Sequence, residues 1–210
     1  CYLSRNLNTM KENIVAGFVI SCVGDNRTYS FVPSRNGETL ADRAALHILN
    51  ASLEKFDHYS YLDRGSDERQ YCSPGVDLPV CSIMRSKYDT YPEYHTSLDN
   101  LSFISPEGLQ GGYDIIQKTI KTLEFNDYYK TLSPCEPQLG KRGMYPNTSI
   151  KDGYSDVKAM MNILAYADGK IDLIELANKI NADVVILYPI IEKLMKANLI
   201  EIVHHNSYKN

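Results

Sequence analysis

Two short stretches concentrate the reactive side chains of this chain. In GSDERQYCSPG, Asp67, Glu68 and Arg69 stand side by side just before Pro74-Gly75. In YPEYHTSLDN, His95 sits between Tyr94 and Thr96, with Asp99 and Asn100 following within about one turn. A carboxylate near a ligating imidazole fixes its tautomer and orientation. Asp25 is a third candidate, because it closes an apolar stretch, and ligands of open parallel sheets gather at the carboxyl ends of strands. Each has an ordinary alternative. A single histidine is commonly a surface or satisfied core residue, Asp25 after Gly24 suits a turn, and a run of charges suits a solvated loop. Against the last stands CSPGVDLPV, whose prolines and glycine hold the preceding side chains in place.

The elements that must position these residues follow from hydrophobic periodicity. NIVAGFVISCVGD (13–25) predicts a strand buried on both faces, as in a largely parallel sheet. TLADRAALHILNAS (39–52) aligns Leu40, Ala44 and Ile48 on one helical face behind an N-cap at Thr39. VDLPVCSIMRS (76–86) predicts a short strand, and residues 87–100 a loop. Residues 105–130 place Leu109, Tyr113, Ile116, Ile120 and Leu123 at helical spacing, which predicts a long amphipathic helix. Alternating strands and helices give an α/β class. Residues 131–153 carry three Pro and three Gly with few large apolar side chains, and predict a linker. Beyond it, 156–167, 172–180 and 183–199 show helical patterns with Asp172 and Asp183 as N-caps, followed by a strand-like IEIV. That succession is a winged-helix layout. The division expected is 1–130, linker 131–153, and winged helix 154–210.

Composition narrows the function. The chain has 210 residues with 43% hydrophobic and 23% charged, ordinary for a globular protein. Lys plus Arg number 22 against 26 Asp plus Glu, a net charge of −4, so broad electrostatic capture of nucleic acid is not expected. Residues 151–210 hold seven Lys, no Arg and eight acidic residues, and 183–196 offers VVILYPII rather than the Arg, Asn or Gln that read bases. A packing module, or one that pairs two chains into a homo-oligomer, is the expectation for that part. No apolar run approaches the ~20 residues that span a bilayer. Five cysteines, an odd number with no C-x-x-C spacing, suit free thiols in a reducing cytoplasm.

VISCVGD, SRNG, DERQYCSPG and EYHTSLDNL together resemble the zinc aminopeptidase-like fold of bacterial leucyl aminopeptidases and glutaminyl cyclases. The resemblance is nearest to bacterial aminopeptidase-like proteins that end in a winged helix and are sometimes associated with polysaccharide biosynthesis. It implies a partial zinc-peptidase-like, mostly parallel sheet with flanking helices. It implies that His95 is a zinc ligand, with Asp25 as an earlier zinc carboxylate, and one or two zinc ions in all. Asp67 matches the Asp of the family's Ser-Asp-His turn, while Glu68 stands where that turn has His. Ser21 or Cys22 falls near the place where the family has its strand-end Asp. The family's first ligand pair and general base match nothing from Cys1 onward, so the chain is expected to be a piece of a longer protein and inactive alone. In such a site zinc holds and polarises a water and the substrate carbonyl. Asp67 and Arg69 are then expected to act in catalysis, Arg69 on a substrate carboxylate or the developing oxyanion. Glu68, Tyr71 and Tyr94 would contact a peptide or aminoacyl substrate. A non-catalytic binding relative and a ligand-sensing DNA-binding regulator are the rival readings.

Overall fold

The computed structural model describes residues 2–144 and 153–203, and the chain divides into two compact units between Ile120 and Lys121. The first opens with helix α1 (Tyr2–Asn13) and carries a four-stranded sheet of β1 (Gly17–Ile20), β2 (Ser30–Val32), β3 (Asp57–His58) and β4 (Val80–Met84). Their order is β1-β4-β2-β3. The β1–β4 and β2–β3 pairings are parallel and β2–β4 is antiparallel, so the sheet is mixed with parallel pairs prevailing. The two inner strands, β2 and β4, are buried at every residue, as their position and their SFV and VCSIM sequences require. The expectation for β1 is corrected: it lies at the sheet edge, and its last residue, Ile20, is 52% exposed. In apolar content alone an edge strand and an inner strand look alike.

Helix α2 (Leu40–Ser52) packs against β4 and starts as expected from Thr39. The Thr39 hydroxyl accepts from the Asp42 amide, and the Asp42 carboxylate accepts from the Thr39 amide at 2.9 Å, a reciprocal capping box. Asp42 is buried and also accepts from the Ser34 amide at 2.7 Å, which anchors the SRNG turn to the helix start.

Helix α4 (Pro106–Glu124) overturns the expected facing. Leu109, Tyr113 and Ile120 point outward, whereas the buried positions are Gly108, Gly112, Ile115, Thr119 and Thr122. The reason is close backbone approach. A Cβ on Gly108 would lie 2.2 Å from the Gly24 carbonyl oxygen and 2.5 Å from that of Asp25. A Cβ on Gly112 would lie 3.2 Å from the Val23 carbonyl oxygen. The glycine ridge thus rests directly on the turn that ends β1. Between α2 and β4 the chain makes a 3-10 turn at Tyr61–Asp63 and a one-turn helix, α3 (Glu68–Tyr71).

The second unit holds an antiparallel sheet, β6-β5-β7, of β5 (Tyr128–Thr131), β6 (Asp168–Asp172) and β7 (Ile200–Val203). Helices α5 (Gly153–Tyr166), α6 (Leu173–Lys179) and α7 (Val184–Lys196) complete a winged helix. Asp172 and Asp183 cap α6 and α7 through the Glu175 and Val185 amides, as expected. Strand β5 precedes the expected start of this unit and supplies its central strand, and part of the expected linker, 145–152, lies outside the described residues. Val184, Leu187, Ile190, Ile191 and Leu194 of α7 face the core. No helix among the described residues is long and apolar enough to cross a membrane.

Gly108→Ala is expected to destabilise the protein by about 2–3 kcal/mol, because backbone rather than a flexible side chain must move. Gly75→Ala, where a Cβ meets nothing within 4 Å, should stay within about 0.5 kcal/mol of wild type. Chemical denaturation of both variants checks the contrast.

Candidate functional site

The parallel pairing of β1 and β4, with Ile20 opposite Ile83, brings their carboxyl ends side by side. The Arg85 amide donates to the Cys22 carbonyl at 2.9 Å and extends the ladder one step. Asp25 sits at this junction, 2% exposed. Its carboxylate accepts from the Ser86 amide at 2.9 Å, the Ser86 hydroxyl at 2.8 Å and the Arg27 amide at 3.0 Å. Arg85 donates to the Asp25 carbonyl at 2.8 Å and to Asn26 Oδ1 at 2.9 Å, with its guanidinium 3.7 Å from the Tyr29 ring centroid. Asp25 is therefore a clamp between two strand ends.

The loop after β4 carries His95 and is tied back to the β1 turn. Arg27 donates two hydrogen bonds to Glu93, at 3.0 and 2.6 Å, a bidentate pair. Its guanidinium also covers the Phe103 ring at 4.7 Å. An aromatic ladder follows: Phe103 stacks on Tyr91 at 5.1 Å, Tyr91 meets Tyr94 edge-on at 5.6 Å, and Tyr94 stacks on His95 at 4.0 Å. Burial, and then a hydrogen bond with Cys22, push the Tyr91 hydroxyl well above its usual range. Cys22, Asp89 and His95 all have positive φ, at 49°, 62° and 56°. Non-glycine residues in this region concentrate at functional sites, because surrounding structure must hold them there. His95 itself is exposed.

Glu68 is also a buried carboxylate. It is fully enclosed, and Oε1 accepts from the Gly65 amide at 2.8 Å, the Ser66 amide at 2.9 Å and the Tyr88 hydroxyl at 2.7 Å. Its Oε2 accepts from the Ser82 hydroxyl at 3.1 Å. Burial works to raise the Glu68 pKa, but the bonds from Tyr88, Ser66 and Gly65 outweigh it and leave the carboxyl below its usual range. Burial and the neighbouring carboxylate drive Tyr88 well above its own. Glu68 thus braces a loop to β4, where a substrate contact was expected. Its neighbours diverge: Asp67 and Arg69 are exposed, Arg69 Nε donating to the Ser66 carbonyl at 3.1 Å. Tyr71 packs on the cluster of Val19, Cys72, Leu78 and Val80, away from the cluster of Val32, Met84 and Tyr88 on which Tyr94 packs.

The metal ligands expected within this chain are His95, which is exposed, and Asp25, which is 2% exposed. Asp25 is already engaged by three donors, and among the described residues no group of three or more His, Cys, Asp or Glu side chains is placed to hold an ion. His95 has the chemistry of a ligand, and Asp25 has the geometry of a brace. Reading from the residues alone noted Cys22 but missed Arg85, Ser86, Lys87 and Tyr88. The strand-end rule that selected Asp25 after β1 applies equally to RSKY after β4, and that was the available signal.

The model of the family described as “Domain of unknown function (DUF4910)” matches residues 1–126. The chain belongs to the DUF4910 family. A winged helix-turn-helix model matches residues 127–202, so the two family matches meet just before β5. The DUF4910 part therefore contains every residue of the candidate site. A Clostridium acetobutylicum protein, provisionally assigned as a polysaccharide biosynthesis protein with an aminopeptidase-like domain, is 39% identical over 180 residues. Those residues are 85% of this chain and 41% of the relative. A crystal structure of a provisionally assigned peptidase, also from Clostridium acetobutylicum, superposes with a TM-score of 0.85 at 34% identity. It covers 96% of this chain and 45% of that one. The chain spans less than half the length of the relatives it matches.

Glu68→Gln should cost about 1–3 kcal/mol near neutral pH, since a buried charged acceptor loses its best partners. A carboxyl held below its ordinary value stabilises the fold above that value, about pH 4.3, and stops doing so as pH falls through the folded value. The stabilities of wild type and Glu68→Gln should therefore converge at acid pH, as measured by urea denaturation from pH 3 to pH 7.

Proposed function

We propose that the full-length protein is a zinc-dependent hydrolase of amide or peptide bonds, and that this chain supplies the His95 loop of its site. The similarity to peptidase-like relatives over almost the whole chain supports the reaction class. The observation that carries the role of the loop is His95 itself. It is an exposed imidazole in a left-handed conformation, fixed by stacking on Tyr94 at the carboxyl end of the sheet. A zinc ion bound there would lower the pKa of a water and polarise the scissile carbonyl. Asp25 enters this reading as the brace that holds the loop, and not as a ligand. Asp67 and Arg69, exposed at the start of α3, are offered to the polar groups of a peptide or aminoacyl substrate, and the half-buried Tyr94 orients the imidazole. Following the name of the relative, we place the reaction in polysaccharide biosynthesis.

A second reading, a binding protein without hydrolytic chemistry, draws on one observation: the buried carboxylates among the candidate residues, Asp25 and Glu68, are engaged by internal hydrogen bonds. For the winged helix we propose a packing or chain-pairing role rather than base readout, since the apolar side of α7 faces inward and its described cations are Lys193 and Lys196.

His95→Ala in the full-length protein should reduce zinc affinity by more than ~100-fold, beyond the loss typical of a partner one shell removed from the metal. Hydrolysis of aminoacyl-arylamides should fall with it. Elemental analysis showing wild-type zinc content in the variant would remove His95 from the metal site.

A further inference from the structure

Lys87 follows the carboxyl end of β4 by three residues and is only 6% exposed. A buried ammonium is costly unless other groups replace its lost water. Among the described residues its Nζ donates to the Tyr88 carbonyl at 3.2 Å, and lies 4.1 Å from the Tyr88 ring centroid and 5.3 Å from that of Tyr59. None of the ion pairs among the described residues includes it. An ammonium has three N–H donors, and one carbonyl and two ring faces leave it without an ionic partner. Glu68 reaches it only through Tyr88: the carboxylate accepts from the Tyr88 hydroxyl, which makes that ring more electron-rich toward the cation.

The position of this charge is informative. Tyr88 belongs to the buried cluster with Val32 and Met84, against which Cys22, Tyr59 and Tyr94 pack. Tyr94 carries the His95 imidazole. A buried cation with no ionic partner among the described residues therefore lies against Tyr88 and Tyr59 of the aromatic cluster on which Tyr94 also packs. The Tyr59 ring over it is itself partly open to solvent.

We infer that Lys87 binds a carboxylate of the substrate, so that the preferred amides are those bearing a free carboxylate close to the scissile bond. The inference rests on the hydrolase reading above for its setting. A singly charged group balances one ammonium, whereas a phosphate dianion would leave a net negative charge in a buried setting. A desolvated lysine discriminates more sharply than the exposed Arg69, because attraction strengthens as the surrounding dielectric falls. Lys87 thereby replaces Arg69 as the residue assigned to a substrate carboxylate.

The test compares alanyl-alanine with alanyl-alanine amide, on the full-length protein, by hydrolysis kinetics and by calorimetric binding. Wild type should favour the acid. Lys87→Met should raise KM for the acid about ten- to a hundredfold more than KM for the amide, the loss of one charge-assisted hydrogen bond. Lys87→Arg should restore part of the preference. Equal binding of acid and amide by wild type overturns the inference, and this comparison needs no folded variant. So does a Lys87→Met protein that loses both substrates equally along with thermal stability, which marks a structural lysine. Carboxylate-dependent binding lost in Lys87→Met but without hydrolysis upholds Lys87 and removes the hydrolase reading. Hydrolysis without acid–amide discrimination does the converse.

Discussion

Two strand ends that run in the same direction present unpaired backbone groups and like-oriented side chains to one another, and something must hold them in register. In this protein the holding group is the Asp25 carboxylate. It accepts from both the amide and the hydroxyl of Ser86, and from the Arg27 amide, so one buried charge joins the turn after β1 to the segment after β4. An ionised carboxylate this deep is tolerable only when hydrogen bonds replace its water. The geometry of everything downstream follows from that junction. Arg27 is aimed at Glu93 because its own amide is fixed by Asp25, and the Arg27–Glu93 pair in turn fixes the loop that ends in Tyr94 and His95.

The glycine ridge of α4 is the steric counterpart of this electrostatic clamp. Gly108 and Gly112 let the helix backbone rest on the carbonyls of Val23, Gly24 and Asp25. Larger residues would lift the helix and loosen the turn. The Gly24 carbonyl also accepts from the Ser105 amide at 2.9 Å, at the entry to the helix. The β1 turn is thus pressed from one side by a helix and stitched from the other by Ser86 and Arg85, which is how a residue as ill-suited to positive φ as Cys22 is kept in that conformation.

What could be read from the residues alone divides along physical lines. Local chemistry was legible. Thr39, Asp172 and Asp183 cap helices because a short side chain carrying an oxygen before an apolar period has little else to do. The α/β class and the winged helix followed from periodicity. Facing and partnership were not legible. The stripe of Leu109, Tyr113 and Ile120 has helical spacing, yet the helix turns its glycines inward, because close approach to a backbone outweighs apolar area there. Asp25 was singled out by its place after a strand, but composition cannot show the three internal donors it meets. Glu68 reads as a solvated charge between Asp67 and Arg69. Only the fold shows that the middle residue of the three turns inward to Ser82 and Tyr88.

That inward turn has a consequence for how the site is built. On the one-turn helix α3, adjacent residues must face different ways, so burying Glu68 obliges Asp67 and Arg69 to face solvent. The same carboxylate polarises Tyr88, whose ring lies under the Lys87 ammonium. One buried acid therefore sets both the outward display of α3 and the electrostatics of the aromatic cluster behind His95. A substitution at Glu68 disturbs both at once, whereas a substitution at Asp67 or Arg69 alters only the outward display. The burial of Glu68 makes the charged triplet an organised feature of the site rather than a solvated loop.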